Sequence, residues 1–377
     1  MSRAVLKELV SLSPLPDLFA RADGTRLTSP EEWETHRNHL YRYAVDMQYG
    51  GMPPAPEFLR VEPLFHFPWI DSYRIHTGRR EHPITFVMQV VWPKEGVDHH
   101  QKFPVIVDGD GCFPHPFYDE NLATVSEFGA LLVRFNRTEL AHDIKEDVRA
   151  DGLYDVYPDM HFSALAAWAW GFHRCVDALM ELGIADPDLI AFTGHSRGGK
   201  TALLAGATDP RATLVCPNGS GAGGAGCYRI HSVTVCEDGM EKRSEELHDL
   251  WRNFPYWFGP EMEPYIHREE DLPFDTYFLK ALVAPRYLLT TEALSDAWAN
   301  PAGTYLSNLA AKEAYAFLGA EDRILCHYRD GYHNHIGTDF RALIAVMRHM
   351  RDGTPLPETM NCPPFDGMEA VHTWKKP

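Results

Sequence analysis

The sequence predicts an α/β fold in which helices cover both faces of a mostly parallel, doubly wound sheet. Three observations support this prediction. Short apolar runs alternate with segments of helical character, most of these runs are apolar at every position, and a glycine-rich turn joins a central run to a helix. Continuously apolar runs are typical of strands that are buried on both faces, whereas half-exposed strands alternate.

The strands and helices follow from the runs and from the segments between them. Strands are predicted over 84–92, 105–107, 130–135, 189–193, 213–216, 287–291 and 324–328, and the first pair is open to an antiparallel arrangement. Helices are predicted over 30–48, 161–182, 198–207, 242–251, 304–318 and 339–350. The first helix has Ser29 as a capping residue before Pro30 and acidic residues in its first turn, as helix starts prefer.

The chain is long enough to bury one large core. Its 377 residues, 45% of them hydrophobic and 12% aromatic, are typical of a globular protein. We expect an N-terminal extension over 1–80 that packs on the core, an α/β domain over 81–352, and a proline-rich tail over 353–377 that wraps the surface.

Charge and hydropathy exclude several classes of partner. The formal net charge is −18, from 53 acidic and 35 basic side chains, so nucleic acid and anionic membrane surfaces are not expected as partners. No apolar stretch reaches the length of a membrane span. Residues 1–20 carry Lys7, Glu8 and Asp17 and no continuous apolar run. A signal peptide is therefore not expected and the predicted location is cytoplasmic, with a leader removed earlier left open.

The cysteines predict neither disulfides nor a metal cluster. Seven cysteines are scattered along the chain without a C-x-x-C pair. We expect them to be buried as small hydrophobic residues.

The motif that indicates chemistry is G-x-S-x-G at 194–198, between an apolar strand and a helix of small residues. A sharp strand-to-helix turn of this kind presents its serine at the carboxyl edge of the sheet. Ser196 is therefore the predicted nucleophile. The amide of Arg197 and the helix N-terminus are expected to stabilise an oxyanion. Residues 109–112, after the strand 105–107, are either a second source of oxyanion donors or a plain tight turn.

A serine nucleophile needs a base, and the base needs an acid that orients it. The expected chain order is serine, acid, histidine. Two loops that follow late strands offer Glu292 or Asp296 as the acid and His333 or His335 as the base. Chain order alone leaves both choices open.

Several longer motifs resemble the glucuronoyl esterases, carbohydrate esterases of the α/β-hydrolase fold. The similar segments are 135–137, 166–171, 192–200, 217–229, 272–275, 281–286, 296–301 and 329–333, and the resemblance covers about residues 30–350. The family implies a Ser-His-acid triad that cleaves esters of 4-O-methyl-glucuronic acid. Matched by position, Ser196 is the nucleophile and His333 the base.

The resemblance also implies roles for four other residues. Arg197 would stabilise the oxyanion with its guanidinium, and the substrate-binding residues would be Lys200, Trp298 and Glu245. Each has a plainer alternative: an ion pair for Arg197, a solvated helix position for Lys200 and Glu245, and core packing for Trp298. Trp168 and Trp170 are expected in the core.

One departure from the family concerns the acid. Many members have a glutamate in a Pro-Gln-Glu-Ser-Gly segment, where this chain has Gly219. Asp296, at the usual hydrolase position, is therefore the expected acid, and the departure puts the substrate in doubt. His195 stands where the family often has a cysteine.

No metal and no organic cofactor is expected. His327, His333, His335 and Asp339 contain ligand types, but His333 and His335 would point to opposite sides of a continuing strand. The segment Asp98, His99 and His100 is expected in a surface turn.

The expected function is hydrolysis of uronic acid esters, with a small-molecule or oligosaccharide ester as the substrate. Imported oligosaccharides or small esters fit the expected location better than a polymer. One alternative is an acetyl xylan esterase or another small-ester hydrolase with the same triad. A second is a non-catalytic sugar-binding relative. The sequence does not predict an oligomeric state.

Overall fold

The computed structural model describes residues 3–94, 97–98, 101–146 and 148–377 of the chain. His99 and His100 of the expected surface turn lie outside these residues. The strands of the described chain are β1 (Val5–Ser11), β2 (Phe58–Phe67), β3 (Ile70–Gly78), β4 (Pro83–Val91), β5 (Phe103–Asp108), β6 (Leu131–Phe135), β7 (Ala185–His195), β8 (Leu214–Asn218), β9 (Ile230–Val235), β10 (Glu241–Arg243), β11 (Tyr287–Ala293) and β12 (Ile324–Arg329). Its α-helices are α1 (Trp33–Tyr41), α2 (Asp119–Phe128), α3 (Leu153–Val156), α4 (Ala164–Leu182), α5 (Arg197–Thr208), α6 (Leu247–Asn253), α7 (Tyr277–Val283), α8 (Pro301–Phe317) and α9 (Gly337–Asp352).

Nine strands form one sheet in the order β12-β11-β8-β7-β5-β6-β4-β3-β2. The six strands from β12 to β6 are parallel to their neighbours. β4 pairs antiparallel with both β6 and β3, and β3 pairs antiparallel with β2. The sheet is thus mostly parallel, as predicted, and its antiparallel part lies at the N-terminal edge.

The central strands are buried on both faces. Val105 and Val107 of β5 belong to one hydrophobic core, and Ile106 between them belongs to a second. The first core includes α4, α5, α7 and α8, and the second includes α2 and α9. Trp168 and Trp170 of α4 are 0% and 1% exposed, which confirms their expected core position.

A small antiparallel sheet, β1-β9-β10, was not predicted. The helix predicted over 242–251 was wrong in its first part, because Glu241–Arg243 forms β10 and α6 begins only at Leu247. Glu246 has an extended backbone there, and its amide donates to the Asp249 carboxylate at 3.1 Å. This bond favours a helix start at Leu247 over one at residue 242.

The predicted domain boundaries stay a prediction, although β2 and β3 precede residue 81 and belong to the main sheet. The tail contacts the N-terminal segment, where the Trp374 indole donates to the Leu15 carbonyl at 2.9 Å. Five cysteines are buried as expected, but Cys112 and Cys362 are exposed. In the described part of the chain, no helix combines the length and the apolar character that a membrane crossing requires.

Candidate active site

Ser196 occupies the turn between β7 and α5 with φ 57° and ψ −119°. This backbone conformation is strained for a residue with a side chain and is held by its surroundings. The Ser196 amide donates to the Asn218 carbonyl at 2.9 Å. A Cβ on Gly194 would lie 2.6 Å from the Gly198 carbonyl oxygen, so the close approach of strand and helix requires glycine. The strand, turn and helix predicted from the motif are therefore present, with Ser196 partly exposed.

His333 and Asp296 form a hydrogen-bonded pair. The Nδ1 atom of His333 lies 2.6 Å from Oδ2 of Asp296. Asp296 follows β11 and its side chain is 4% exposed, whereas the side chain of His333, after β12, is 40% exposed. Because Asp296 engages Nδ1, the other ring nitrogen of His333 is left for a second partner, as a general base requires.

The two alternatives from the sequence make other contacts. Glu292 is fully buried, and its Oε1 accepts a hydrogen bond from the Thr304 hydroxyl at 3.2 Å. Burial raises the pKa of Glu292 well above its ordinary value, so the neutral carboxyl is favoured. His335 is buried, its ring stacks on Phe340, and burial lowers its pKa well below the ordinary value. The geometry therefore favours Asp296 as the acid and His333 as the base.

His195 packs against His333 with ring centroids 4.2 Å apart. Its Nδ1 lies 2.6 Å from the amide oxygen of Asn218, whose own NH₂ donates to the Thr291 hydroxyl at 2.9 Å. Burial and the neighbouring His333 lower the pKa of His195 to about 3, which favours the neutral ring. The position of His195 beside the nucleophile gave a signal for this contact, but nothing in the sequence indicated Asn218.

Gly219, at the position of the family glutamate, has φ +49°. A Cβ at this position would lie 3.2 Å from Oδ2 of Asp296 and 3.4 Å from Cε1 of His195. A larger side chain would therefore crowd the carboxylate that holds His333. Glycine at position 219 therefore leaves room for the Asp296 carboxylate.

Arg197 lies beside the nucleophile but already has a carboxylate partner. Its Nη1 donates to Oδ2 of Asp143 at 2.8 Å. Its guanidinium carbon is 4.9 Å from the Phe254 ring centroid and 4.8 Å from that of Trp257. The Tyr256 hydroxyl donates to the other oxygen of Asp143 at 2.8 Å. The cation is thus held in place by residues far away in sequence, which the sequence did not indicate.

The loop 109–112 uses two of its amides within the protein. The Asp110 amide donates to Oδ1 of Asp108 at 2.7 Å, and the Gly111 amide donates to the Phe135 carbonyl at 3.0 Å. The Asp110 carboxylate accepts a hydrogen bond from the His195 amide at 2.7 Å and forms an ion pair with Arg137. This loop therefore braces the nucleophile turn, and these two amides are not free as oxyanion donors.

The three predicted substrate-binding residues are linked to one another. The Lys200 ammonium is buried and donates to Oε1 of Glu245 at 2.9 Å and to the backbone carbonyls of Ser220 and Ala222. The Glu245 amide donates to the Trp298 carbonyl at 3.1 Å. Burial raises the pKa of Glu245. Neither Lys200 nor Glu245 is a solvated helix residue, and the Trp298 side chain is 43% exposed rather than packed in the core.

Two of the four residues considered as a metal site have hydrogen-bond partners outside the set. His333 is bonded to Asp296, and the Asp339 carboxylate accepts Nε of Arg329 at 3.0 Å. Both ring nitrogens of His327 and Nδ1 of His335 are buried and have no hydrogen-bond partner among the described residues.

The chain is similar to known proteins over most of its length. A family model described as "Glucuronyl esterase, fungi" matches residues 75–319. A 4-O-methyl-glucuronoyl methylesterase of Schizophyllum commune is 30% identical over 316 residues, which are 83% of this chain and 75% of that protein. One of Phanerochaete chrysosporium is 33% identical over 317 residues, 83% of this chain and 64% of that protein.

Solved structures support the same family. A carbohydrate esterase family 15 glucuronoyl esterase from Caldicellulosiruptor kristjansonii superposes with a TM-score of 0.79 at 27% identity, covering 96% of this chain and 97% of that one. The chain therefore belongs to the glucuronoyl esterase family and has the α/β-hydrolase fold.

Proposed function

We propose that this chain is a serine esterase that hydrolyses esters of uronic acids, with 4-O-methyl-glucuronoyl esters as the first substrate to test. The observation that carries the proposal is the hydrogen-bonded pair of His333 and Asp296. This pair lies beside the turn of Ser196, because the ring of His333 packs on the ring of His195, the residue before Ser196. The curated relatives named 4-O-methyl-glucuronoyl methylesterase support the choice of ester.

In the proposed mechanism, His333 takes the proton of Ser196 as the hydroxyl attacks the ester carbonyl. The tetrahedral oxyanion is stabilised by Arg197, and His333 then gives the proton to the leaving alcohol. Water hydrolyses the acyl-enzyme by the same route in reverse. Asp296 holds the imidazole tautomer and stabilises the imidazolium that forms in both steps.

We assign sugar recognition to the linked set Lys200, Glu245 and Trp298. The exposed ring of Trp298 offers an apolar face to a sugar ring. The carboxyl group of Glu245 is suited to sugar hydroxyls. The ammonium of Lys200 is bonded to three acceptors of the protein, so its proposed role is to fix Glu245 and the loop at 220–222.

Competing ester substrates test the choice of substrate. The protein is assayed on methyl 4-O-methyl-glucuronate and on acetylated xylo-oligosaccharides. We expect turnover of the first ester at a kcat/KM at least about tenfold above the second, which corresponds to about 1.4 kcal/mol of transition-state preference. If only the acetylated substrate is turned over, the proposed uronate ester hydrolysis is wrong and the acetyl esterase alternative is favoured.

Covalent labelling tests whether the chain is catalytic at all. A fluorophosphonate is expected to label Ser196, and Ser196→Ala is expected to abolish both labelling and hydrolysis. Ser11→Ala, on the exposed face of β1, is the matched control and should be labelled like the wild type. A folded wild type that takes no label would favour the non-catalytic sugar-binding alternative.

A further inference from the structure

Three buried side chains lie close to the catalytic histidine and take no part in the proposed reaction. Asp108 ends β5, His115 lies in a short helical turn after it, and His335 follows His333 by two residues. They are 0%, 7% and 1% exposed. One potential ligand atom from each lies within 4.8 Å of the other two.

Two members of this trio have buried polar atoms without a partner. Oδ2 of Asp108 and Nδ1 of His335 have no hydrogen bond within the described chain. Buried polar atoms are normally bonded, because an unpaired one loses its hydration without replacement. A cation that accepts an electron pair from each of the two atoms would give both of them a partner.

The trio is held by a second layer of bonds. Nε2 of His115 lies 3.2 Å from Oδ2 of Asp110, and the other oxygen of Asp110 pairs with Arg137. Oδ1 of Asp108 accepts the Asp110 amide at 2.7 Å. A carboxylate bonded to an imidazole in this way is how ligating histidines are commonly oriented in metal sites.

We propose that Asp108, His115 and His335 bind one divalent transition-metal ion, with Zn²⁺ as the first candidate. Two imidazoles and one carboxylate are ligands that Zn²⁺ prefers, and water would fill the remaining position. Ligands at about 2.1 Å in a tetrahedral site lie roughly 3.4 Å apart, so side-chain rotations suffice to close the trio on an ion.

The ion has a positioning role and no part in the ester chemistry. It ties His335, and with it the segment that carries His333, to the end of β5. The rings of His115 and His335 lie 5.6 Å apart, and His195 lies 5.6 Å from His115 and 4.2 Å from His333. The site is therefore separated from His333 by one imidazole.

Metal binding is tested on the full chain after treatment with a chelator. The protein is reloaded with Zn²⁺, passed through a desalting column and analysed for metal content, and a parallel sample is titrated with Co²⁺. We expect about one ion per chain, a Co²⁺ spectrum typical of tetrahedral coordination, and a higher Tm with Zn²⁺ than without. A wild type that retains no ion, or an octahedral Co²⁺ spectrum, would overturn the proposal.

Two variants locate the ion. His115→Gln is expected to lose it. His248→Gln is the matched control, because His248 stacks on His267 and lies beside Glu246 and Asp249, so it offers ligand types outside the proposed site. Loss of the ion from His248→Gln and its retention by His115→Gln would contradict the assignment. If His115→Gln does not fold, the Co²⁺ spectrum and the Tm of the wild type still decide. Ester hydrolysis is measured in parallel: a protein that holds the ion but hydrolyses no ester would contradict the proposed function and leave the metal site standing.

Discussion

The ring of His195 packs on the ring of His333 at 4.2 Å while Asp296 holds the Nδ1 atom of His333 at 2.6 Å. The histidine after β12 is therefore held by two different contacts, one through a ring face and one through a hydrogen bond. His195 is itself fixed through Asn218, which ends β8. Four strand ends thus meet around one imidazole.

The contact with His195 predicts an effect on turnover. His195→Ala removes the ring and lets water reach one face of His333, so the imidazole is expected to leave its position against Asp296 more often. We expect kcat to fall about tenfold with KM within about twofold, because the ring of His195 contacts the proposed base and not the residues proposed to bind the sugar. His195→Phe keeps a ring at the contact and should lose less. An equal loss in both variants would contradict a role for ring packing.

Conservative substitutions can show whether Asp296 or Glu292 is the acid that orients His333. Asp296→Asn is expected to lower kcat by about 10²- to 10⁴-fold, because the amide favours the wrong tautomer of His333. Glu292→Gln keeps an acceptor for the Thr304 hydroxyl and should leave kcat/KM within about twofold. Steady-state kinetics on one ester compares the two variants. The reverse ranking would make Glu292 the orienting acid.

Buried Glu292 also predicts a pH dependence of stability. Its pKa is raised well above the ordinary value by burial, so the native state keeps a proton that the unfolded chain releases. This contribution to stability is fully present below the unfolded pKa of about 4.3 and is lost as the pH rises toward the native pKa. Relative to Glu292→Gln, the wild type should therefore lose up to about 1.4 kcal/mol of unfolding free energy per pH unit above that value.

Urea unfolding of wild type and Glu292→Gln across this pH range measures the difference. Glu34→Gln is the matched control, since the Glu34 side chain is 88% exposed and its removal should leave the slope unchanged. Parallel curves for the wild type and Glu292→Gln would show that Glu292 titrates alike in the folded and unfolded chains.

The parts of the fold that the sequence predicted are those with strong local patterns. The apolar runs of β5 to β8 and β11 require burial on two faces, β4 alternates between buried and more exposed residues, and the turn at Ser196 is specified by its own glycines. β1, β9 and β10 were missed because β1 pairs with β9 across more than two hundred residues and no local pattern indicates that pairing. β2 and β3 were missed for a different reason. They pair with each other locally, but β2 lies at the exposed edge of the sheet and has no regular alternation of buried and exposed residues.

The candidate site divides in the same way. Ser196 could be predicted from its motif, and the late loop limited the base to His333 or His335, because both segments follow strands that end at one edge of the sheet. The choice of His333 came only from the family resemblance. The partners that hold the site, Asn218, Asp143 and Tyr256, could not be predicted. Each reaches its partner through tertiary packing, and hydrogen bonds between distant segments have no signature in chain order.

Gly219 offers a test of crowding at the acid. Gly219→Ala places a Cβ 3.2 Å from Oδ2 of Asp296 at a φ of +49°, so we expect a loss of about 1 kcal/mol in unfolding free energy and a lower kcat. Gly183→Ala is the control, because Gly183 has φ +72° and nothing within 4 Å of its added Cβ. The control should share the loss of stability and keep full activity. Equal activity of both variants would exclude crowding of Asp296.

Substitutions at Arg197 and at its partner Asp143 test separately whether the charge or the position of the guanidinium stabilises the oxyanion. Arg197→Met keeps much of the apolar contact with Phe254 and Trp257 but removes the cation, so kcat should fall by about 10²- to 10³-fold with a small change in KM. Asp143→Asn keeps the cation and weakens the bond that holds it, so a smaller fall is expected. Stopped-assay kinetics with one ester ranks them. If Asp143→Asn loses as much as Arg197→Met, the position of the guanidinium matters more than its charge, and if neither variant loses activity, the oxyanion is stabilised without Arg197.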